Sequence, residues 1–340
     1  MAIKVFEAFA GIGAPRKALI NIGVDFEVKY TSEINVDAIN GYKKLYGENN
    51  NLGDIAKIDE KKLEDFDLFV AGFPCQDISH NGKQLGMKEG TRSGLVWDAL
   101  RIIEYKRPKY IVFENVKNLL NYKFKDDLNT IVSKLKSIGY TVKVKLLNAK
   151  NFGVCQNRER VFIVGSLLGD FNIPDKSERT MLTLHDILVD DDQDNINEDI
   201  KNRIMSESIN QNVSNAIPEE KTENVNKVKC LNSKNIYNKQ PSQQYRVYSK
   251  NGLMTTLSAQ LNGRYNVISS QGFIRKITPK ESLLLQCFDV KDYEKMKDME
   301  GKIYKLSGNS IPVYMLEEIF KELLIHNKRN KSKVKEEYLW

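Results

Sequence analysis

Five short segments carry side chains whose types and spacing suit chemistry. Residues 71–79, AGFPCQDIS, put Cys75 directly after Pro74 at the end of an apolar run. A nucleophilic thiol needs such a rigid, accessible place and surroundings that favour the thiolate. Residues 113–120, FENVKNLL, put Glu114 at the end of a second apolar run, where a carboxyl can serve as a general acid. Residues 153–162, GVCQNRERVF, hold Arg158 and Arg160 just before a strand. Alternate residues of extended chain point the same way, so both guanidiniums are expected to face one site. Residues 6–15, FEAFAGIGAP, run from a strand through Gly11 and Gly13 into a helix. Such a turn lets backbone approach a ligand closely, and leaves open a dinucleotide, S-adenosylmethionine or no ligand at all. It lacks the third glycine of the dinucleotide fingerprint and any Gly-Lys-Ser, which argues against phosphate binding. Glu33, at the end of the next strand, suits ribose hydroxyls. Residues 307–313, SGNSIPV, form a polar turn before the last helix.

These residues need a frame to hold them. Strands are expected at 3–9, 26–34, 67–72, 110–114, 140–147 and 160–165. Helices are expected at 16–22, 35–46, 94–105 and 127–138. Alternating strands and helices over the first 165 residues predict an α/β open sheet. Ligands of such sheets bind beyond the carboxyl ends of the strands, where Glu33, Cys75 and Glu114 fall. From 190 to 240 the chain turns polar and rich in Asn, as in a loop-rich insert. Alternation resumes at 244–249 and 252–258. Thr278 then caps a helix over 278–286, with Glu281 at the capping-box position. A last amphipathic helix spans 314–327, before a charged tail. The expected domains are 1–185, a large catalytic domain; 186–275, a small domain; 276–327, a hinge and helix returning to the large domain; and the tail 328–340.

Composition narrows the classes. With 340 residues, 41% hydrophobic and 29% charged, the chain is globular rather than disordered. It has no apolar run long enough for a membrane span and no proper signal-peptide core, so a cytoplasmic protein is expected. Cys75, Cys155, Cys230 and Cys287 fit no paired metal-ligand spacing, so no metal is expected. The net charge is +7. Residues 226–276 hold nine Lys or Arg and no Asp or Glu, interleaved with Tyr237, Tyr245, Tyr248 and Tyr265. This pattern suits a nucleic-acid surface and equally a solvated loop region. Gly82, Gly86, Gly90 and Gly94, with Lys83, Lys88 and Arg92, read as a lid that closes over a polyanion.

Taken together and in order, FAGIGA, GFPCQDIS, ENV, QNRER, TPKESLLLQCF and GNSIPV resemble the motifs of the DNA cytosine-5 methyltransferases, in particular the small bacterial and phage enzymes of type II restriction-modification systems, GCGC-specific ones among them. The resemblance covers most of residues 4–165 and 246–325, and RVYSKNGLMTTLSA looks like the end of that family's target-recognition domain. It implies a Rossmann-like S-adenosylmethionine-dependent methyltransferase domain beside a smaller, loop-rich target-recognition domain. It implies transfer of a methyl group to C5 of a cytosine flipped out of duplex DNA. By that resemblance Cys75 attacks C6, Glu114 bonds N3 and the exocyclic amine, Arg160 binds O2, and Arg158 is its neighbour at the active site and on phosphate. Cytosine C5 is too weak a nucleophile unaided; a thiolate on C6 makes it an enamine.

The same resemblance assigns the cofactor S-adenosylmethionine, leaving as S-adenosylhomocysteine, to Phe9, Gly11, Ile12, Gly13, Glu33, Ile34, Asp54, Ile55, Pro74, Leu95, Asn309, Ser310 and Ile311. Glu33 takes the ribose hydroxyls and Asp54 the adenine amine. Two residues depart from the pattern: Ile34 replaces the usual aromatic, so adenine packs on an aliphatic side chain, and Ala14 replaces a glycine. Toward DNA it implies Asn81, Lys83 and Arg92 on the lid, then Gln243, Arg246, Thr256, Leu257, Asn262, Gly263 and Arg264. Arginine on guanine is the commonest specific base contact. The expected partners are double-stranded DNA and a cognate restriction endonuclease of the same short site, four or five base pairs containing GC. The protein is expected to be a monomer. Two other readings are a tRNA cytosine-5 methyltransferase and a DNA-binding relative without catalysis. The long insert ending in TTLSA favours DNA, and the presence of Cys75, Glu114 and Arg160 disfavours the non-catalytic relative.

Overall fold

The computed structural model describes residues 2–74, 93–189, 226–228, 230–231, 242–261, 263, 265–268 and 274–326. Cys75, Asn81, Lys83, Arg92, Asn262, Arg264 and Tyr237 lie outside them, as do most of the expected lid and the charged tail. The strands are β1 (Ile3–Ala8), β2 (Phe26–Ser32), β3 (Leu68–Gly72), β4 (Tyr110–Val116), β5 (Thr141–Asn148), β6 (Gln156–Asn157), β7 (Glu159–Ser166), β8 (Val247–Tyr248), β9 (Met254–Thr255), β10 (Asn266–Ile268) and β11 (Ile274–Lys276). The chain divides into two compact units. The first comprises 1–148, 159–177 and 313–340; the second comprises 149–158 and 178–312.

The first unit is built on a six-stranded sheet ordered β2-β1-β3-β4-β7-β5. Strands β1 to β4 run parallel, and β7 lies antiparallel between β4 and β5. Parallel strands covered on both faces read as continuous apolar runs, and LFVA of β3 and YIVF of β4 are fully buried. Helices α1 (Ala14–Asn21), α2 (Val36–Tyr46), α3 (Val96–Lys106) and α4 (Lys125–Ser137) follow β1, β2, β3 and β4 respectively. The α/β sheet read from the sequence is therefore present, with element ends shifted by a few residues. On one face Phe6, Phe69, Phe73 and Phe113 meet edge to face or tilted across β1, β3 and β4, with centroids 5.1 to 6.2 Å apart. Helix Val313–Lys321 packs on α1, and Asn21 donates to the Glu317 carboxylate at 2.7 Å. That helix continues as a wider π-helical turn to His326.

The second unit has a different grain. Its strands are short: β11-β10-β8 form one sheet, and β6 pairs in parallel with β9. Tyr248, Leu253, Met254, Leu257, Tyr265, Val267, Ile277 and Leu285 make its core. Thr278 caps helix Pro279–Leu284 with the expected capping box to Glu281. Two helices absent from the sequence reading, Val290–Met296 and Glu300–Asn309, follow. Residues 276–312 cluster with this unit, and the return to the first begins at Val313. The compact units thus meet along the chain at 177–178 and 312–313. Leu284, Leu285 and Tyr304 of the helical stretch 279–309 pack on the short-strand core.

Two corrections concern the basic stretch. Tyr248 and Tyr265 are core residues at 1% exposure, so they offer no face for stacking bases. Arg275 is equally buried and forms a two-pronged ion pair with Glu281. An unpaired cation in an apolar interior is costly, so sequence-local charge there serves the interior and not a surface.

Candidate active site

Four strand ends of the first unit carry the candidate groups. At β4, Glu114 lies opposite Phe162 of antiparallel β7, which makes Arg160 its diagonal neighbour on the same face. The Arg160 Nε donates to Glu114 Oε1 at 2.8 Å, and both side chains keep a little exposure, 11% and 12%. The guanidinium also reaches the Glu159 carbonyl at 2.7 Å. On the other side of β4, Glu114 is in register with Gly72, the last residue of β3. The chain beyond Gly72 is pinned by buried Asn115, whose amide donates to the Phe73 carbonyl at 3.2 Å. Half-buried Pro74 follows, and Cys75 is the next residue in sequence. Asn115 was not singled out from the sequence, although the ENV motif contains it.

At β1 and β2 a second group converges. Phe9, Gly11 and Gly13 all take positive φ, 52°, 55° and 75°, so the chain turns tightly out of β1. A Cβ at Gly13 would lie 2.5 Å from the Tyr46 ring, whereas around Gly11 no atom falls within 4 Å of that position. Close packing thus dictates glycine at 13, and open space adjoins 11. The Glu33 carboxylate accepts from Gly11 N at 2.9 Å, Ile34 N at 2.9 Å and Asn35 N at 2.8 Å. Asn51 brackets Glu33 by accepting from its N–H and donating to its carbonyl, both at 3.0 Å. Asn51 is a second positioning residue that the motifs did not reveal. Asp54 caps the short turn Ile55–Lys57 by accepting from Ala56 N at 3.1 Å. Ile34 and Val36 are 69% and 68% exposed, an uncovered apolar step beside Glu33. Ile12 and Ile55 point into the interior, so only their backbone is available to a ligand. Leu95 ends the turn Ser93–Leu95 before α3 and packs on the sheet core.

An adenosyl group fits these residues. A carboxylate for ribose hydroxyls, an apolar step for a flat base and open space beside Gly11 are on hand.

In the second unit Asn309 is exposed while Ser310 and Ile311 are buried. Gln243 and Arg246 are half-buried at the short turn before β8, and Thr256 is half-exposed with its hydroxyl on the Asn157 carbonyl at 2.7 Å. Three of the expected site residues are buried. Arg158 is 2% exposed and donates to the carbonyls of Leu257, Gly308 and Ser310 at 2.8, 3.0 and 2.9 Å. Its guanidinium is therefore engaged inside the second unit. Leu257 is core, with its N–H on Gln156 and its carbonyl on Arg158. Gly263 is buried against the Tyr304 ring, where a Cβ would lie 2.6 Å from carbon. Cys155 is buried and its thiol is pushed up to about 12 by desolvation, as expected of an inert cysteine. Among the described residues no cluster of metal ligands occurs, and no helix is long and apolar enough to cross a membrane.

A mixed sheet with a glycine turn after β1 and a Glu–Arg pair at the end of β4 defines the methyltransferase class of α/β fold. Residues 3–324 match the family described as C-5 cytosine-specific DNA methylase, and the chain belongs to that family. It is 33% identical to Type II methyltransferase M2.ScrFI of Lactococcus lactis subsp. cremoris, over 94% of this chain and 99% of that protein. It is 30% identical to Type II methyltransferase M.HhaI of Haemophilus parahaemolyticus, over 93% of each. Its fold is similar to that of the Dnmt2 methyltransferase of S. pombe, with a TM-score of 0.70 at 17% identity over 95% of this chain and 98% of that one. The protein is a DNA cytosine-5 methyltransferase.

Proposed function

We propose that the enzyme methylates cytosine through a covalent adduct on Cys75, within one short duplex sequence. The observation that carries this reading is the Glu114–Arg160 pair. It stands at the end of β4, in register with the end of β3, which leads within three residues to Cys75. A carboxyl and a guanidinium side by side suit the N3, amine and O2 edge of a cytosine that has left the stack. Holding that edge draws electron density from the ring as the Cys75 thiolate adds to C6 and C5 becomes nucleophilic. Once C5 carries the transferred methyl group, loss of its proton and departure of the thiolate restore the ring. Asn115 holds the carbonyl of Phe73, two residues before Cys75 in sequence. Glu33, Ile34, Asp54 and the backbone of Gly11 would hold S-adenosylmethionine, which supplies the methyl group when bound; the family resemblance assigns Asn309 and Ile311 to the same cofactor. Gln243, Arg246 and Thr256 remain the candidates for DNA on the described surface. The enzyme acts as a cytoplasmic monomer, and a restriction endonuclease of the same specificity is its natural counterpart.

The test is methylation of a long mixed-sequence duplex with S-adenosylmethionine, read base by base after bisulfite conversion. Protected cytosines should cluster on one short motif and vanish with Cys75→Ala. Protection scattered over all sequence contexts would remove the site-specific part of the reading. Undiminished methylation by Cys75→Ala would remove the adduct.

A further inference from the structure

Two of the family-like motifs in the second unit, the TTLSA segment and the GNSIP turn, are tied together by a third. The fork of Arg158 does the tying. Its Nη1 donates to Leu257 O at 2.8 Å, and its Nη2 is shared between Gly308 O at 3.0 Å and Ser310 O at 2.9 Å. These acceptors lie 99, 150 and 152 residues away in sequence. Gly308 is in the last turn of helix Glu300–Asn309, where carbonyls lack helical partners and the helix dipole is negative. A guanidinium there satisfies carbonyl and dipole at once. Its planar fork spans two segments, which a lysine's single ammonium does less well.

Independent contacts make the same join. A Cβ on Gly308 would lie 2.5 Å from Ala259 N and 2.8 Å from Ala259 Cα, so the helix end rests directly on the backbone of the TTLSA segment. Gln156 accepts from Leu257 N at 3.0 Å, and Asn157 O accepts from Thr256 Oγ1 at 2.7 Å. Residues 156–158 thus grip 256–257 at three successive positions. Asn309, between the two clamped carbonyls, stays exposed, and Thr256, next to clamped Leu257, stays half-exposed.

We infer that Arg158 is a positioning residue that sets the geometry of two segments together, the Thr256 segment assigned to DNA and the Asn309–Ile311 turn assigned to the cofactor. The inference rests on the assignment of those two segments under the proposed function. It replaces the phosphate-contacting role with an internal one.

The experiment compares wild type with Arg158→Met, Arg158→Lys and Gly308→Ala. Affinity for S-adenosylhomocysteine is measured by calorimetry, and affinity for a mixed-sequence duplex by fluorescence anisotropy, each ligand alone and well below the melting temperature. Arg158→Met should weaken both by about tenfold or more, since several charge-assisted hydrogen bonds are lost together. Arg158→Lys should recover part of both losses. Gly308→Ala, which separates the same two segments from the other side, should weaken both in parallel. Folded variants with lowered melting temperature but unchanged affinities would make Arg158 merely structural. Loss of one affinity only would break the link between the segments. If Arg158→Met does not fold, Gly308→Ala and Arg158→Lys decide by the same criteria. A wild type that binds neither probe would overturn the proposed function itself, whereas a wild type that binds both leaves the variants to judge this inference alone.

Discussion

Two Arg–Glu pairs, one in each unit, use the same chemistry to opposite ends. In the second unit Glu281 is fully buried and its carboxylate is saturated. Arg275 supplies two bonds, at 2.9 and 2.7 Å, and the N–H groups of Val189 and Thr278 supply two more, at 2.9 and 2.7 Å. A carboxylate has about four acceptor sites, and all are taken. In the first unit Glu114 meets Arg160 across two antiparallel strands, at strand ends, with both side chains partly exposed. The pair that is closed on itself holds structure. The pair that opens at the edge of a sheet is the one that can meet a substrate.

The comparison is broken most sharply by neutralising each carboxylate's role in turn. Glu114→Gln keeps the shape and the strand register but removes the charge and half of the acceptor capacity. The methylation rate should fall by about 10²- to 10⁴-fold, the usual worth of a positioned acid–base group, measured as transfer of radiolabelled methyl groups to DNA. Its melting temperature should change little. Arg275→Met should do the reverse. It strands the Glu281 carboxylate in an apolar interior, and breaking a buried pair costs about 3–5 kcal/mol. The denaturant midpoint reports this loss. A stability loss for Glu114→Gln matching that of Arg275→Met would erase the distinction.

A third carboxyl sharpens the contrast from within the first unit. Glu7 on β1 is fully buried beneath the glycine turn, and Tyr42 donates to it at 2.8 Å. Arg16 lends a backbone N–H and its charge, but desolvation outweighs them and pushes the carboxyl up to about 7. Unlike Glu281, Glu7 has no guanidinium fork to fill its oxygens. With the folded value above the unfolded one, the folded state binds the extra proton between about pH 4.5 and 7. The stability Glu7 contributes is therefore complete below about pH 4.5 and is lost as pH rises through about 7, amounting to about 3 kcal/mol. Tyr42 keeps its proton throughout, because burial drives its hydroxyl upward. Glu7→Gln should flatten that part of the stability–pH curve and be the more stable protein at pH 8. Parallel wild-type and Glu7→Gln curves would refute the assignment.

How much of this was readable in the chain follows the range of the contacts involved. The sheet was legible because buried parallel strands announce themselves locally, as LFVAG and YIVF do. The placing of Glu114 and Arg160 was legible because each lies near the end or start of a buried apolar strand. Thr278 and Glu281 were legible as a capping box, a relation across three residues. What the sequence hid is whether a polar side chain turns inward, since that depends on partners far along the chain. Arg158 and Arg160 are two apart and look equivalent, yet carbonyls at 257, 308 and 310 hold the first inside. Arg275, Tyr248 and Tyr265 read as a basic, aromatic surface and are core. Asn51 and Asn115 read as ordinary loop and motif residues, and each brackets the backbone of a candidate site.

The smallest expected effect tests whether the saturation of Glu281 is collective. Thr278→Ala removes the hydroxyl that accepts from Glu281 N at 3.2 Å, while Thr278 N still donates to the carboxylate at 2.7 Å. Loss of an N-cap side chain ordinarily costs about 1 kcal/mol. If the ion pair with Arg275 and the bond from Val189 already fix the carboxylate, the loss should stay near that figure, because one orphaned N–H at a helix start is all that changes. A loss several times larger, read from the denaturant midpoint, would mean that the cap also aligns the Glu281 carboxylate with Arg275. The Thr278→Ala/Arg275→Met double variant separates the two cases. Additive losses leave cap and pair independent; a double variant no worse than Arg275→Met alone makes them one unit, with the cap acting through the charge it orients.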